Sequence, residues 1–402
     1  MTARTTKQIE WRATWLWLHR WMGIVTLLLM SAIGVTGSAL VWPNATEAMF
    51  YPDRFHAEVE EERLSAQDLF DAAELALPEG DQPTVISLPQ TSDRAVLVGG
   101  LPHASNRVGP PPRHRVWLDG STGEVVSQHN TSADLMWWMR AIHGHLVIPG
   151  TLGRQVIGWF GVFLLILSLT GIWLWWPRNG KLGKSLKWKR APTVSGRLHY
   201  RFGFWISIPM AILALSGAWI SFPVVTSTVV SLVTGESVEA PEGHDHGPEP
   251  SAMLPMTSPN LSIDEAVQLG QAQHGDGALT FLASPTEGNP AWLVAFACDA
   301  TPSDCQKSYR ILDETKTVLT PPPPEPHTNS ETVMELMEHI HYADGYTLIW
   351  DLIVFVAGFL PILLGITGFL MWLRQREGRI RIKRMKAAAA EAQSQANAQI
   401  QA

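Results

Sequence analysis

Four histidines recur in two matched settings. His19 lies in Leu18-His19-Arg20-Trp21-Met22-Gly23 and His199 in Leu198-His199-Tyr200-Arg201-Phe202-Gly203. Each opens an apolar run that reaches a hydroxyl-glycine step eighteen residues on, Thr36-Gly37 in the first and Ser216-Gly217 in the second. His143 and His341 follow Ile142 and Ile340, and each precedes an apolar run closing with Thr170-Gly171 or Thr367-Gly368. An ionisable residue at the end of a membrane-spanning helix is a functional candidate when it faces other helices. Two imidazoles facing each other from different helices can supply the ligands above and below a haem plane. Zinc or copper sites usually draw a third or fourth protein ligand, and no carboxylate or thiol recurs beside these positions.

Haem also needs cations for its propionates and apolar walls for its ring. Arg20 and Arg201 adjoin one pair, while Arg140 and Arg154 flank His143. Gly23, Gly203 and the hydroxyl-glycine steps would let either a flat ring or a neighbouring helix approach the backbone closely. His145 and His339 stand two residues from their neighbours and are alternative ligands. The remaining histidines lie in polar segments and receive no role; His244-Asp245-His246 reads as part of a linker. No catalytic triad or nucleophile is expected.

The elements that must carry these residues are membrane helices. Four stretches are long and almost free of charge: Trp21 to Trp42, Val156 to Trp176, Phe202 to Val225 and Leu348 to Trp372. Each can span a bilayer, which takes about 20 apolar residues. Tryptophans cluster at their ends, as interfacial belts favour. Lys and Arg number four through Arg20, eight from Arg178 to Arg201 and seven from Arg374 to Lys386, so 19 of 30 fall on one side. By the positive-inside rule that side is the cytoplasm, with both termini in it. The first run exceeds the h-region of a signal peptide and reads as a retained helix. The net charge of −7 arises in the outer segments and points to no nucleic acid.

The chain reads as two parallel repeats. Leu64-Ser65-Ala66-Gln67-Asp68 recurs as Leu261-Ser262-Ile263-Asp264-Glu265, and Leu118-Asp119 with Thr122-Gly123 recurs as Leu312-Asp313 with Thr315-Lys316. Ser65 and Ser262 read as helix N-caps, and the alternating runs 95–98 and 292–296 as strands. The fold class is therefore an α-helical membrane protein of four spans with two small α+β outer modules. The expected order is an arm and first span (1–42), a module (43–131), an amphipathic helix and second span (132–177), and a basic loop (178–201). A third span (202–225), a second module (226–330), an amphipathic helix and fourth span (331–373) and a basic tail (374–402) complete it. Cys298 and Cys305 lie in the second module, where an oxidising compartment permits a disulfide.

Taken together, the histidine motifs, Gly153-Arg154 and the terminal Thr-Gly signatures resemble the PepSY-associated transmembrane helix family, and within it the FoxB-like inner-membrane ferrisiderophore reductases. The resemblance implies b-type haem, and the two histidine pairs, His19 with His199 and His143 with His341, offer seats for one haem or two. It also implies electron transfer to a ferric siderophore in the periplasm, with release of ferrous iron. Two PepSY-like modules would wall the chelate, with Trp117 and Trp292 either contacting it or filling module cores. No Gly-x-Gly-x-x-Gly motif or flavin-sized inner loop is present, so a quinol or a separate reductase must supply electrons. The sequence departs from the pattern after His341, where Gly345-Tyr346-Thr347 replaces the Gly-Arg step. Two other classes remain open on the residues alone: a haem-free binding or protease-inhibitor module on a membrane anchor, and an iron or siderophore permease.

Overall fold

The computed structural model describes residues 2–55, 63–90, 94–102, 114–130, 133–148, 150–177, 191–235, 254–298, 306–319, 329–343 and 347–401. In chain order these form α1 (Thr2–Val41), α2 (Pro43–Phe50), α3 (Ala66–Ala76), β1 (Asp81–Ser87), β2 (Val96–Pro102), β3 (His114–Leu118) and β4 (Val125–Asn130). There follow α4 (Leu135–His145), α5 (Thr151–Trp175), α6 (Val194–Ser221), α7 (Pro223–Thr234) and α8 (Ile263–His274). The last elements are β5 (Leu279–Ala283), β6 (Ala291–Ala297), β7 (Gln306–Leu312), β8 (Val318–Leu319), α9 (Asn329–Tyr342) and α10 (Leu348–Gln401). The chain divides into two compact units: Met1–Val41, Arg140–Pro241 and Asn329–Ala402 form one, and Trp42–Met139 with Glu242–Thr328 the other.

The first unit is helical, and α1, α5, α6 and α10 are long and apolar enough to cross a membrane. Large apolar side chains such as Val25 and Leu28 stand exposed along them, as they do when lipid rather than protein is the solvent. Small residues bring the helices together. A Cβ on Gly358 of α10 would collide with Ser38 Oγ and the Gly34 carbonyl of α1, and Ser38 Oγ donates to the Phe355 carbonyl at 2.7 Å. On the other side, a Cβ on Gly161 of α5 would lie 3.1 Å from the Ala214 carbonyl of α6. Close approach through glycine is how membrane helices gain contact without a hydrophobic driving force between them.

The helix limits differ from the apolar runs that suggested them. Helix α6 starts at Val194, capped by Thr193 accepting from the Gly196 amide, because helix formation continues past the apolar stretch into the basic loop. It stops at Ser221 rather than Val225, since Pro223 has no N–H to continue the ladder and instead takes the first turn of α7. Helix α7 buries Thr226, Ser227 and Val230 while Val224, Val225, Leu232 and Val233 are exposed. Helix α10 continues without a break through the basic tail.

The second unit is one α/β layer pair, where two separate modules were expected. Its eight strands make a single antiparallel sheet of order β4-β3-β2-β1-β5-β6-β7-β8. The two halves join through β1 and β5, with Ile86 opposite Leu282 and both fully buried. Half-exposed strand edges would leave unpaired backbone groups at each module's rim, and pairing β1 with β5 removes two of them. Helices α3 and α8 supply Leu69, Phe70, Ala73 and Ala266 to one core shared with Val96, Val98, Leu118, Val294, Phe296 and Ile311. Ser65 caps α3 by accepting from the Asp68 amide, and Ser262 with Glu265 forms a full capping box on α8.

Two aspartates tie the turns. Asp119 accepts from the Ser121 and Thr122 amides at 2.8 and 3.0 Å. Asp313 accepts from the Asn260 and Leu261 amides and from Trp292 Nε1 at 2.9 Å. Arg54 is buried face-on between Tyr51 and Trp117, and its Nη1 pairs with Glu47 at 2.7 Å. Trp292, 2% exposed, belongs to this core, whereas Trp117, 5% exposed, lies outside it and packs against Arg54 and His129. Cys298 is disulfide-bonded; the only other cysteine, Cys305, lies outside the described residues.

Candidate functional site

Each of the four histidines is held by a neighbouring helix of the first unit, always through Nδ1. His19 on α1 meets α5, where Thr170 Oγ1 lies 2.9 Å from Nδ1 and the Leu167 carbonyl also accepts. His199 on α6 meets α10, with the Leu364 carbonyl at 3.0 Å and Thr367 Oγ1 at 3.1 Å. His143 on α4 meets α1, with the Ile33 carbonyl at 2.8 Å. His341 on α9 meets α6, with Ser216 Oγ at 3.1 Å and the Leu213 carbonyl at 3.2 Å. The accepting carbonyl is in every case three residues before the hydroxyl of a Thr-Gly or Ser-Gly step.

Hydrogen-bond bookkeeping settles the tautomer. A carbonyl only accepts, and a hydroxyl has one proton to give. Thr170 spends its proton on the Ile166 carbonyl at 2.6 Å, Thr367 on Leu363 at 2.6 Å, and Ser216 on Leu213 at 3.1 Å. Every partner of Nδ1 is thus an acceptor, so Nδ1 carries the hydrogen and Nε2 keeps its lone pair. That is the tautomer a metal-binding imidazole needs, with its other nitrogen oriented by a fixed acceptor.

The rings come together in two pairs. His19 and His199 have ring centroids 6.5 Å apart, and His143 and His341 6.1 Å apart. Two imidazoles on opposite sides of one metal ion, with metal–nitrogen bonds of about 2.0 Å, would have centroids about 6.4 Å apart. The two pairs occupy different levels. Gly37, against which His143 packs, follows His19 by eighteen residues on α1, a rise of about 27 Å and close to the roughly 30 Å of a bilayer's hydrocarbon core. Among the described residues no three His, Cys, Asp or Glu side chains gather at a metal-binding spacing. A pair of imidazoles without a third such ligand among the described residues suits an iron that carries four ring nitrogens of its own, as in haem.

The flanking arginines are placed less uniformly. Arg20 donates from Nη2 to Gln375 Oε1 on α10 at 2.9 Å. Arg154 donates to the Ile220 carbonyl at 2.7 Å and lies near Tyr342, the residue after His341. Arg140 and Arg201 are exposed. His145, weighed as a substitute ligand, has a buried Nδ1 with no hydrogen-bond partner among the described residues, and the ring pairs there join His19 to His199 and His143 to His341 without His339. Gly345 and Tyr346, which replace the Gly-Arg step, lie outside the described residues.

Histidines elsewhere serve the sheet: His114 contacts Asp81, and His274 stacks on Phe296 with Nε2 at 2.9 Å from the Ala297 carbonyl. His56, His103, His244, His246 and His327 lie outside the described residues. Sequence reasoning overlooked Thr170, Thr367 and Ser216 as histidine partners. Their signal was present in the recurring hydroxyl-glycine step, which reads in sequence as a packing motif or a haem contact. The ring that the glycines admit is the imidazole itself: a Cβ on Gly37 would lie 2.5 Å from His143 Cε1, and one on Gly217 2.7 Å from His341 Cε1.

No curated protein matches the chain. Residues 16–375, which include all four histidines, all four spans and the sheet, match the PepSY-associated TM region, and the chain belongs to that family.

Proposed function

We propose that the protein carries electrons across the bacterial inner membrane through two b-type haems and delivers them to a ferric siderophore in the periplasm, releasing ferrous iron. The observation that carries this reading is the double pairing: four half-buried histidines, each held through Nδ1, set at two levels about 27 Å apart in helix rise. His19 with His199, and His143 with His341, would hold the iron, and haem bound there supplies reversible one-electron carriage. Arg20, Arg201, Arg140 and Arg154, which flank the ligand histidines in sequence, would serve as cations for the propionates.

The basic residues at both termini and in the 178–201 loop support a reading in which the His19 level faces the cytoplasm and the sheet the periplasm. A hydrated ferric chelate cannot enter hydrocarbon cheaply, so it must meet the electron at the outer level. Hard oxygen ligands that suit Fe³⁺ hold Fe²⁺ far less well, and one electron per iron is enough to loosen the chelate. A quinol or a separate reductase supplies that electron from the membrane or the cytoplasm.

The test mixes dithionite-reduced, desalted protein anaerobically with a ferric hydroxamate and a ferrous-specific chromophore. Haem bands should shift to the oxidised form while the chromophore colours, with one ferrous complex per haem oxidised. Reoxidation by oxygen alone, with no ferrous complex from any chelate, would leave the acceptor reading without support.

A further inference from the structure

The four histidine seats are built alike but not identically. In three of them a hydroxyl oxygen and a carbonyl oxygen share the imidazole N–H: Thr170 with Leu167, Thr367 with Leu364, Ser216 with Leu213. In the fourth, His143 Nδ1 meets the Ile33 carbonyl alone among the described residues, although Thr36 Oγ1 donates to its own helix at Ala32 and Ile33 just as Thr170 does to Ile166 and Thr367 to Leu363. The glycines differ too. At the His143 and His341 level an added Cβ would overlap the ring at 2.5 and 2.7 Å, whereas at the His19 and His199 level it would meet Cε1 at 3.4 and 3.2 Å, distances that a small shift relieves.

We infer that Thr170, Thr367 and Ser216 are positioning residues that fix the tautomer and angle of the ligand histidines, and that Gly37 and Gly217 are the space on which the outer pair depends. This rests on the haem reading for its purpose, though the seat geometry stands apart from it. An imidazole held by two acceptors cannot rotate about its χ2 bond without losing both, so Nε2 stays aimed while the site is empty as well as when it is filled. Orienting groups of this kind are typically worth about 10–100-fold in metal affinity.

The test uses full-length protein in two backgrounds that each retain one pair, His143→Ala for the inner and His19→Ala for the outer, and follows haem transfer to apomyoglobin. Thr170→Val and Thr367→Val should each speed haem loss about 10-fold from the inner pair, and Ser216→Ala should do the same for the outer pair. Thr36→Val should leave the outer rate unchanged. Gly217→Ala should abolish outer haem, while Gly171→Ala should keep most inner haem.

Equal effects of Thr36→Val and Ser216→Ala, or equal loss in the two glycine variants, would overturn the assignment. Histidine ¹⁵N spectra of haem-free protein provide the separate readout. His19, His199 and His341 should show the Nδ1–H form in wild type, and Thr170→Val should move the His19 signals alone. An Nε2–H form in wild type would refute the seats. A wild type that binds no haem but shows the Nδ1–H form would instead refute the haem reading and leave the seats standing.

Discussion

A buried imidazole has two nitrogens and one proton, and what the second nitrogen can do is decided by what the first one touches. That is why the histidines were legible as candidates from sequence while their seats were not. Matched flanks and equal spacing to a glycine are properties of a string; the turn of Thr170 Oγ1 toward a ring 151 positions away is a property of the packed helices. His19→Ala and His199→Ala should each remove about half of the haem, leaving the other level filled, and His143→Ala and His341→Ala should do the reverse; haem per chain measured in detergent checks it, and equal full loading of all four would refute the ligand set.

At the same scale, Asp313 offers a test in the sheet. Burial would raise its carboxyl, but the Asn260 amide, Trp292 Nε1 and the Leu261 amide hold it below the usual carboxylate range. A group depressed in the folded state stabilises the fold above its unfolded value and loses that contribution as pH falls through the folded one. Hydrogen exchange of the 260–265 and 306–313 segments should therefore quicken below about pH 4. Asp313→Asn should exchange faster than wild type at pH 7 and lose part of the acid dependence. Identical pH profiles for the two proteins would show that the carboxylate contributes nothing.

Elements were read well in kind and less well in extent. The four spans, the two capped helices and strands β2 and β6 all follow from periodicity and caps, because these are local signals. The fusion of two modules into one sheet does not, since β1 and β5 pair across nearly two hundred residues and strand alternation carries no record of which edge meets which. The end of α6 at Ser221 was readable in principle from Pro223, but a run of apolar residues on both sides outweighed it. The crossing of α1 and α10 gives a prediction at this scale. Gly358→Leu would press a side chain into Ser38 and the Gly34 backbone, at a cost of about 1–3 kcal/mol or more. Its melting temperature in detergent should fall by several degrees, whereas Gly378→Ala, with open space around it, should melt like wild type. A Gly358→Leu protein as stable as wild type would mean that the two helices do not meet there.

For the whole molecule, the charge asymmetry makes a plain claim about sidedness. A reporter active only in the periplasm should be active when fused at Pro248 and silent at Gln395. The reverse would invert every inner and outer assignment. The central claim is that this chain holds a haem at each of two levels, and pyridine haemochrome analysis of purified full-length protein tests it most directly. No Cys-x-x-Cys-His motif is present to bind haem covalently. The account predicts a low-spin b-type spectrum with two haems per chain, falling to one when either histidine of a pair is replaced by alanine; a chain grown with ample haem that purifies without it, or with a covalently bound c-type spectrum, would contradict it.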